Sequence, residues 1–387
     1  MNTVLDTVVI GGGAMGSAAA WALSRRGRQV TLVEQFGPGH KIGASHGATR
    51  NLNPGYHQPD YVAMLAEGLD LWDELEQDSG VQLLTRTGVV NHGPGGELPR
   101  VATALAEAGI RAEFLDPAAA GERWRGIRFD RQVLHMPDGG QLNPEAALPA
   151  FQRLASARGA EIRHHTKVVD FEVFDDGVRL VLESTAGTEV VTAAQAVVTA
   201  GGWTEKLLAR AAGTGAAALR IPKLRVTQEQ PAHFRVADAG AVWPGFNHYP
   251  GPDYQGWYSP VYGMQTPGEG IKAGWHGVGP VVDPDHRDFL PEPKQLAALQ
   301  DYARQWLPGV DPDSFEAISC TYTTTPDEDF VLDRIGPVVI GAGFSGHGFK
   351  FTPVVGRILA DLATGTRPAP SIFRASRQWP DLRKGNQ

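Results

Sequence analysis

With 387 residues and a formal charge of −8, from 35 Lys and Arg against 43 Asp and Glu, the chain is long enough for a large core and two domains and lacks the basic excess of a nucleic-acid footprint. No apolar run reaches the ~18 residues of a membrane span, and the N-terminus enters a strand-like segment without signal-peptide organisation, so a cytoplasmic protein acting on a small molecule is expected. The single cysteine, Cys320, excludes an internal disulfide; the C-terminal RKGNQ is not a peroxisomal address; and the 47 Gly and 28 Pro form no low-complexity block or repeat.

Residues 4–34 read as a complete strand–helix–strand unit. An apolar run at 5–10 leads into Gly11, Gly13 and Gly16 in G-x-G-x-x-G spacing, small residues at 18–23 continue as a helix, and 30–33 is a second apolar strand ending at Glu34. The first glycine makes the tight turn, the second lets backbone approach a pyrophosphate, and the third lets helix and strand pack closely. The phosphates then meet free N–H groups at the helix N-terminus. Glu34 stands 23 positions after Gly11, where a carboxylate accepts hydrogen bonds from a ribose diol and repels the 2′-phosphate of NADP. A glycine-rich turn in some other α/β protein is the plainer alternative.

Downstream, residues 35–55 form a Gly-, Ser- and Asn-rich loop holding His40, Lys41, His46 and Arg50, and loops this long are usually functional. Helices are predicted over 61–77, 101–108, 144–158 and 291–306. Strands are predicted within 81–91, then at 161–163, 167–173, 178–182, 189–191 and 196–199. The last of these runs into Gly201-Gly202 and a helix, again aiming backbone N–H groups past a sheet edge. Residues 223–276 are strand-like and dense in aromatics, which read as sheet packing or as the lining of a substrate cavity. A strand at 338–342, a glycine-rich turn at 343–348 and a helix at 353–363 close the chain.

The first and last strand–glycine–helix units lie more than 300 residues apart, yet both have phosphate-turn character. NAD dehydrogenases usually keep their nucleotide half contiguous, whereas FAD proteins of the glutathione-reductase type return to the flavin with their last segment. The expected fold is therefore α/β, with a discontinuous Rossmann-type FAD domain at 1–85, 146–220 and 318–387. A substrate domain at 86–145 and 221–317 is expected to be built on a mixed or antiparallel sheet.

At residues 318–351 the pattern C-x-Y-T-x-T-P-D-E-x-F-x-x-D, followed by G-F-S-G-H-G-F-K-F, resembles the monomeric sarcosine oxidase and N-methyltryptophan oxidase family of flavoenzymes, within the D-amino-acid-oxidase-like group. The resemblance extends to Ser45-His46-Gly47-Ala48-Thr49-Arg50, to Ala200-Gly201-Gly202-Trp203 and to the run from Gly270 to His276. It implies FAD attached covalently through Cys320, and Lys272 beside the flavin N5 where oxygen is activated. It implies that His276, Tyr322 and Arg50 belong to the active site, that His46 lies near the flavin, and that Lys350 faces its pyrimidine end and helps hold a substrate carboxylate. The cofactor wall is expected to include Ser45, Thr49, Val168, Gly202, Trp203, Gly343, Gly346 and Gly348; Tyr258 and Arg225 are further substrate-side candidates.

Read on residues alone, Cys320 is a buried small hydrophobe, Lys272 an exposed lysine on an alternating strand, His347 either a packing or a site histidine, and Asp327-Glu328-Asp329 a solvated turn. Cationic side chains beside a flavin do have a use, because they stabilise the anionic reduced ring without reorganisation. One position departs from the family pattern: Asn53 stands where a second arginine is expected, and an amide does not replace the fork of a guanidinium. The expected activity is oxidation of a secondary amine by a monomer, with hydride transfer to FAD and reduction of O2 to H2O2. The alternatives are another amine lacking a simple α-carboxylate, a dehydrogenase using another acceptor, and a flavin-containing binding protein.

Overall fold

The computed structural model describes residues 3–238 and 240–380, so the RKGNQ segment lies outside the described residues. Strand Thr3–Ile10, helix Ala14–Ser24 and strand Val30–Val33 form where the alternation of apolar and glycine segments places them. The two strands run parallel, with Ile10 opposite Val33. Gly16 is required by close approach: a Cβ there would meet the Gly11 carbonyl oxygen at 1.8 Å. The helix is buried on all sides, packed against Pro144–Ala157 and Thr352–Thr364, with Trp21 edge-on to Phe151 at 5.4 Å.

Strand Gly187–Val198 organises the first sheet. One edge runs parallel to Thr3–Ile10. The other pairs antiparallel with Val178–Ser184 over its first half and parallel with Val338–Ala342 over its second. The last apolar strand of the chain thus lies one strand away from the first, which brings the turn at 343–348 beside the turn at 11–16. Two predicted strands, 189–191 and 196–199, are one continuous strand here. Thr192-Ala193-Ala194-Gln195 has little strand propensity of its own and is held by ladders on both sides.

The second sheet has eight strands, in the order Val310–Ala317, Ala232–Val236, Gly270–Trp275, Val261–Thr266, Gly245–His248, Val89–His92, Val133–Met136 and Glu113–Leu115. Every pairing is antiparallel except that of Gly245–His248 with Val89–His92. Strand Val310–Ala317 escaped prediction because it carries Pro312 among acids; it is tolerated as an edge strand beside a register shift at Phe234/Arg235. Helix Pro117–Arg123 follows strand Glu113–Leu115, and the loop at 35–55 contains the short strand Arg50–Leu52, held by Gly140–Leu142. Most aromatics of 223–276 are packing residues: Trp243, Phe246 and Trp275 are buried with Tyr302 and Trp306 in the core of this sheet. No helix among the described residues is long and apolar enough to cross a membrane.

Candidate active site

Two cavities meet between the sheets. The first, about 450 Å³, runs from the Gly11–Gly13 turn and Glu34 past Ser45, Val168, Gly202 and Trp203 to Cys320 and the turn holding Gly343, Gly346 and Gly348. The second, about 390 Å³, is lined by Thr49, Asn53, Tyr56, Tyr249, Tyr262, Lys272, His276, His347 and Lys350, among others. His46, Arg50, Cys320, Tyr322, Gly346 and Phe349 line both.

The first cavity fits an ADP-bearing cofactor. Glu34 is buried at the end of the second strand, and its carboxylate accepts the Gly12 and Phe36 N–H groups at 2.7 and 2.9 Å. That fixes it at the mouth of the turn, where a ribose would lie. Backbone walls leave no space for side chains: Gly346, at φ +77°, would place a Cβ 2.1 Å from the Tyr322 ring. Buried His46 Nε2 has no hydrogen-bond partner among the described residues and faces the shared wall.

On the shared wall, the Arg50 guanidinium donates to the carbonyls of Thr49, Ala44 and His46 at 2.9, 2.9 and 2.5 Å and reaches Cys320 Sγ at 3.9 Å. Cys320 is half-buried on strand Cys320–Thr324, whose pairing with Arg225–Glu229 sets it opposite Glu229. Arg287 supports the same strand from behind, donating to Ser319 Oγ at 2.7 Å. Nothing in the acidic run around Arg287 marks that role.

Two buried lysines flank the second cavity. Lys272 lies on the central strand Gly270–Trp275 and donates to the Thr49 carbonyl at 2.6 Å; burial, with Arg50 nearby, pulls its pKa down to about 7. Lys350 donates to the Tyr56 hydroxyl at 2.9 Å and the His347 carbonyl at 2.8 Å, and burial lowers it to about 7 as well. A solvated surface position for Lys272 is therefore excluded: the side chain points inward, its Nζ on a single backbone oxygen. His276, anchored through its N–H on Ser259 Oγ at 2.8 Å, turns Nδ1 to the Tyr322 hydroxyl at 3.4 Å. Burial and Lys350 hold His276 at about 4, so it is neutral. Burial drives the Tyr322 phenol well above its usual range, and it hydrogen-bonds Tyr262.

Two substrate-side expectations are corrected. Tyr258 lines neither cavity; it is 44 % exposed and packs edge-on against Trp275. Arg225 begins its strand on the exposed side, opposite Thr324, and also lies outside both. The charged triplet is not a free turn: Asp327 is held bidentate by Arg377, and all three residues line the second cavity. Tyr249 and Tyr262, from the aromatic stretch at 223–276, line the second cavity, and so does Tyr56, which no local pattern marks. Asn53 accepts the Gly55 N–H at 3.0 Å and bonds Tyr249, so its amide is engaged within the wall.

A discontinuous glutathione-reductase-type FAD fold facing a second, side-chain-lined cavity defines a flavin-dependent oxidoreductase. Residues 6–362 match the family described as FAD dependent oxidoreductase (DAO), and the chain belongs to that family. It is 34 % identical over 391 residues to a monomeric sarcosine oxidase of Bacillus sp. (strain NS-129), covering 97 % of this chain and 98 % of that protein. It is 30 % identical over 386 residues to the N-methyl-L-tryptophan oxidase of Salmonella agona (strain SL483), covering 96 % and 98 %. Among solved structures, NikD, an unusual amino acid oxidase essential for nikkomycin biosynthesis, superposes with a TM-score of 0.82 at 28 % identity over 98 % of this chain and 99 % of that one.

Proposed function

We propose that this flavoenzyme oxidises the C–N bond of a secondary amine of the N-methyl or cyclic amino acid class, that Cys320 anchors its FAD covalently, and that O2 is the acceptor, giving H2O2. The observation that carries the proposal is the shared wall: Cys320, Arg50 and Tyr322 close one cavity and open the other, with a buried lysine on either side of the second. When bound, the flavin supplies the electron sink.

This chain's own residues then bind, orient and stabilise. Lys350 offers its ammonium to a substrate carboxylate, held in place by Tyr56 and the His347 carbonyl. Tyr262, Tyr249 and Tyr322 enclose the amine and keep water out, so that the amine reacts as the neutral base. Lys272, held on the Thr49 carbonyl, would offer a fixed positive charge to a bound flavin, which becomes anionic when reduced. The residue bounds given above for the FAD and substrate domains, a monomeric state and a cytoplasmic location belong to the same proposal.

Asn53 favours a second reading. With its amide committed to Gly55 and Tyr249, and Arg50 committed to backbone carbonyls, Lys350 alone faces a carboxylate. A substrate with a weaker or differently placed acid is then accommodated.

Acid precipitation of the purified yellow protein tests the anchor. Colour should stay with the pellet and move to the supernatant in Cys320→Ala. Colour released from the native protein would show that FAD is bound without Cys320 as its anchor. Amines that bleach the flavin under nitrogen, screened from N-methyl and cyclic amino acids outward, then separate the two substrate readings.

A further inference from the structure

Outside both cavities, the second sheet holds a cluster of titratable side chains that the oxidation does not use. His92 ends strand Val89–His92 and His248 ends strand Gly245–His248; the strands run parallel, and their register sets the two histidines opposite each other. Both are fully buried, with ring centroids 3.8 Å apart. Both nitrogens of His92 and Nε2 of His248 have no hydrogen-bond partner among the described residues, and His248 Nδ1 has only the Tyr302 hydroxyl at 3.5 Å.

Native interiors rarely keep several orphaned polar atoms together without a use for them. The unpartnered ring nitrogens leave lone pairs available inside the protein. Neutral imidazole is the form that binds a metal.

The third member is Asp130, at the protein surface. One ligand atom from each of His92, His248 and Asp130 lies within 4.8 Å of the other two. Zinc–ligand bonds of ~2.0–2.2 Å place tetrahedral ligand atoms roughly 3.5 Å apart, so binding draws the ligand atoms closer than the 4.8 Å within which they now lie. Asp130 Oδ2 accepts the Tyr254 hydroxyl at 2.9 Å, which leaves its other oxygen free for a metal. The competing partner, Arg131, is exposed and sits 3.9 Å from the carboxylate, a weak ion pair.

We propose that His92, His248 and Asp130 bind one divalent transition-metal ion of the zinc class, with the half-exposed carboxylate as its route of entry and one coordination position left open. Two imidazoles and a carboxylate suit such an ion and are too few oxygens for calcium. The ion fastens the segment carrying Asp130 to two neighbouring strand ends, one residue ahead of Tyr249 in the amine-facing wall.

The test uses the flavin-loaded holoenzyme, stripped with a chelator, titrated with Zn2+, gel-filtered and assayed for metal by mass spectrometry, with a thermal midpoint taken alongside. Native protein should retain one zinc and gain thermal stability from it. Asp130→Asn should weaken binding at least about tenfold while keeping the native flavin spectrum, and His92→Gln with His248→Gln should abolish retention. Retention well below one zinc by native protein, or equal retention by native and Asp130→Asn, would overturn the assignment. If the histidine variants fail to fold, Asp130→Asn decides alone, because its side chain is outside the core.

Discussion

The two cavities share one wall and are built in opposite ways. The cofactor cavity is walled at both ends by backbone, with glycines at 11–13 and 343–348 and a carboxylate held by main-chain N–H groups. The amine-facing cavity is walled by side chains: two lysines, three histidines and several tyrosines supplied by distant segments. Backbone walls fix where a cofactor lies and tolerate no added atom, whereas side-chain walls fix which molecule is accepted and change with single substitutions. The difference follows from what each must bind, a constant dinucleotide on one side and a variable amine on the other.

The sharpest test sets the two kinds of wall against each other at the same spot. Gly346→Ala must hold an L-residue at φ +77° and push a Cβ into the Tyr322 ring, a cost of at least about 2 kcal/mol from the left-handed backbone and the clash together. Flavin content and thermal midpoint should both fall. Tyr322→Phe removes only the hydroxyl facing His276 and Tyr262, so it should keep flavin and fold while losing turnover. Equal flavin loss in the two variants would mean that the backbone wall is not the stricter one.

A smaller effect comes from Lys350. Unfolded, a lysine titrates near 10.4; folded, burial holds Lys350 at about 7. Below pH 7 both states carry the proton and the full cost of burying the charge applies. Between the two values the folded chain has lost its proton and the unfolded chain has not, so stability rises with pH by up to about 1.4 kcal/mol per unit. Lys350→Met removes that slope. Its urea midpoint relative to native protein should be highest at or below pH 7 and should decline toward pH 10. A difference independent of pH would show that Lys350 does not carry a buried charge.

The same contrast explains what could be read from the chain before its structure. Gly11, Gly13, Gly16 and Glu34 lie within one local unit, and Cys320, Tyr322, Gly346 and Lys350 within one 34-residue run at 318–351, so local spacing and the resemblance were enough to name them. The rest depended on long-range pairing. Tyr56 meets Lys350 across 294 positions, and His92 meets His248 only because two strands happen to run parallel in register. Tyr249 and Tyr262 sit in the same aromatic stretch as Trp243 and Trp275, yet two face the cavity and two the core; strand direction and sheet order decide, and neither is written locally. The continuous strand Gly187–Val198 shows the same dependence, its weak middle being held by its neighbours.

Tyr258 and Arg225 supply the smallest expected effect and mark the outer limit of the side-chain wall. Both are of residue types that suit an amine-acid substrate, and both stand outside the cavity: Tyr258 with its ring on Trp275 and 44 % of its surface open, Arg225 at the exposed start of its strand. Exposed groups away from buried networks shift stability by within about 0.5 kcal/mol, and a side chain that does not touch substrate has no differential contact to lose in the transition state. Tyr258→Phe and Arg225→Gln should therefore leave kcat/KM within about twofold of native, a difference of roughly 0.4 kcal/mol. A loss of tenfold or more in either, measured with the best amine found, would mean that the loop at 251–260 or the start of strand Arg225–Glu229 moves in to complete the cavity when substrate binds. The side-chain wall would then be one assembled on binding rather than preformed.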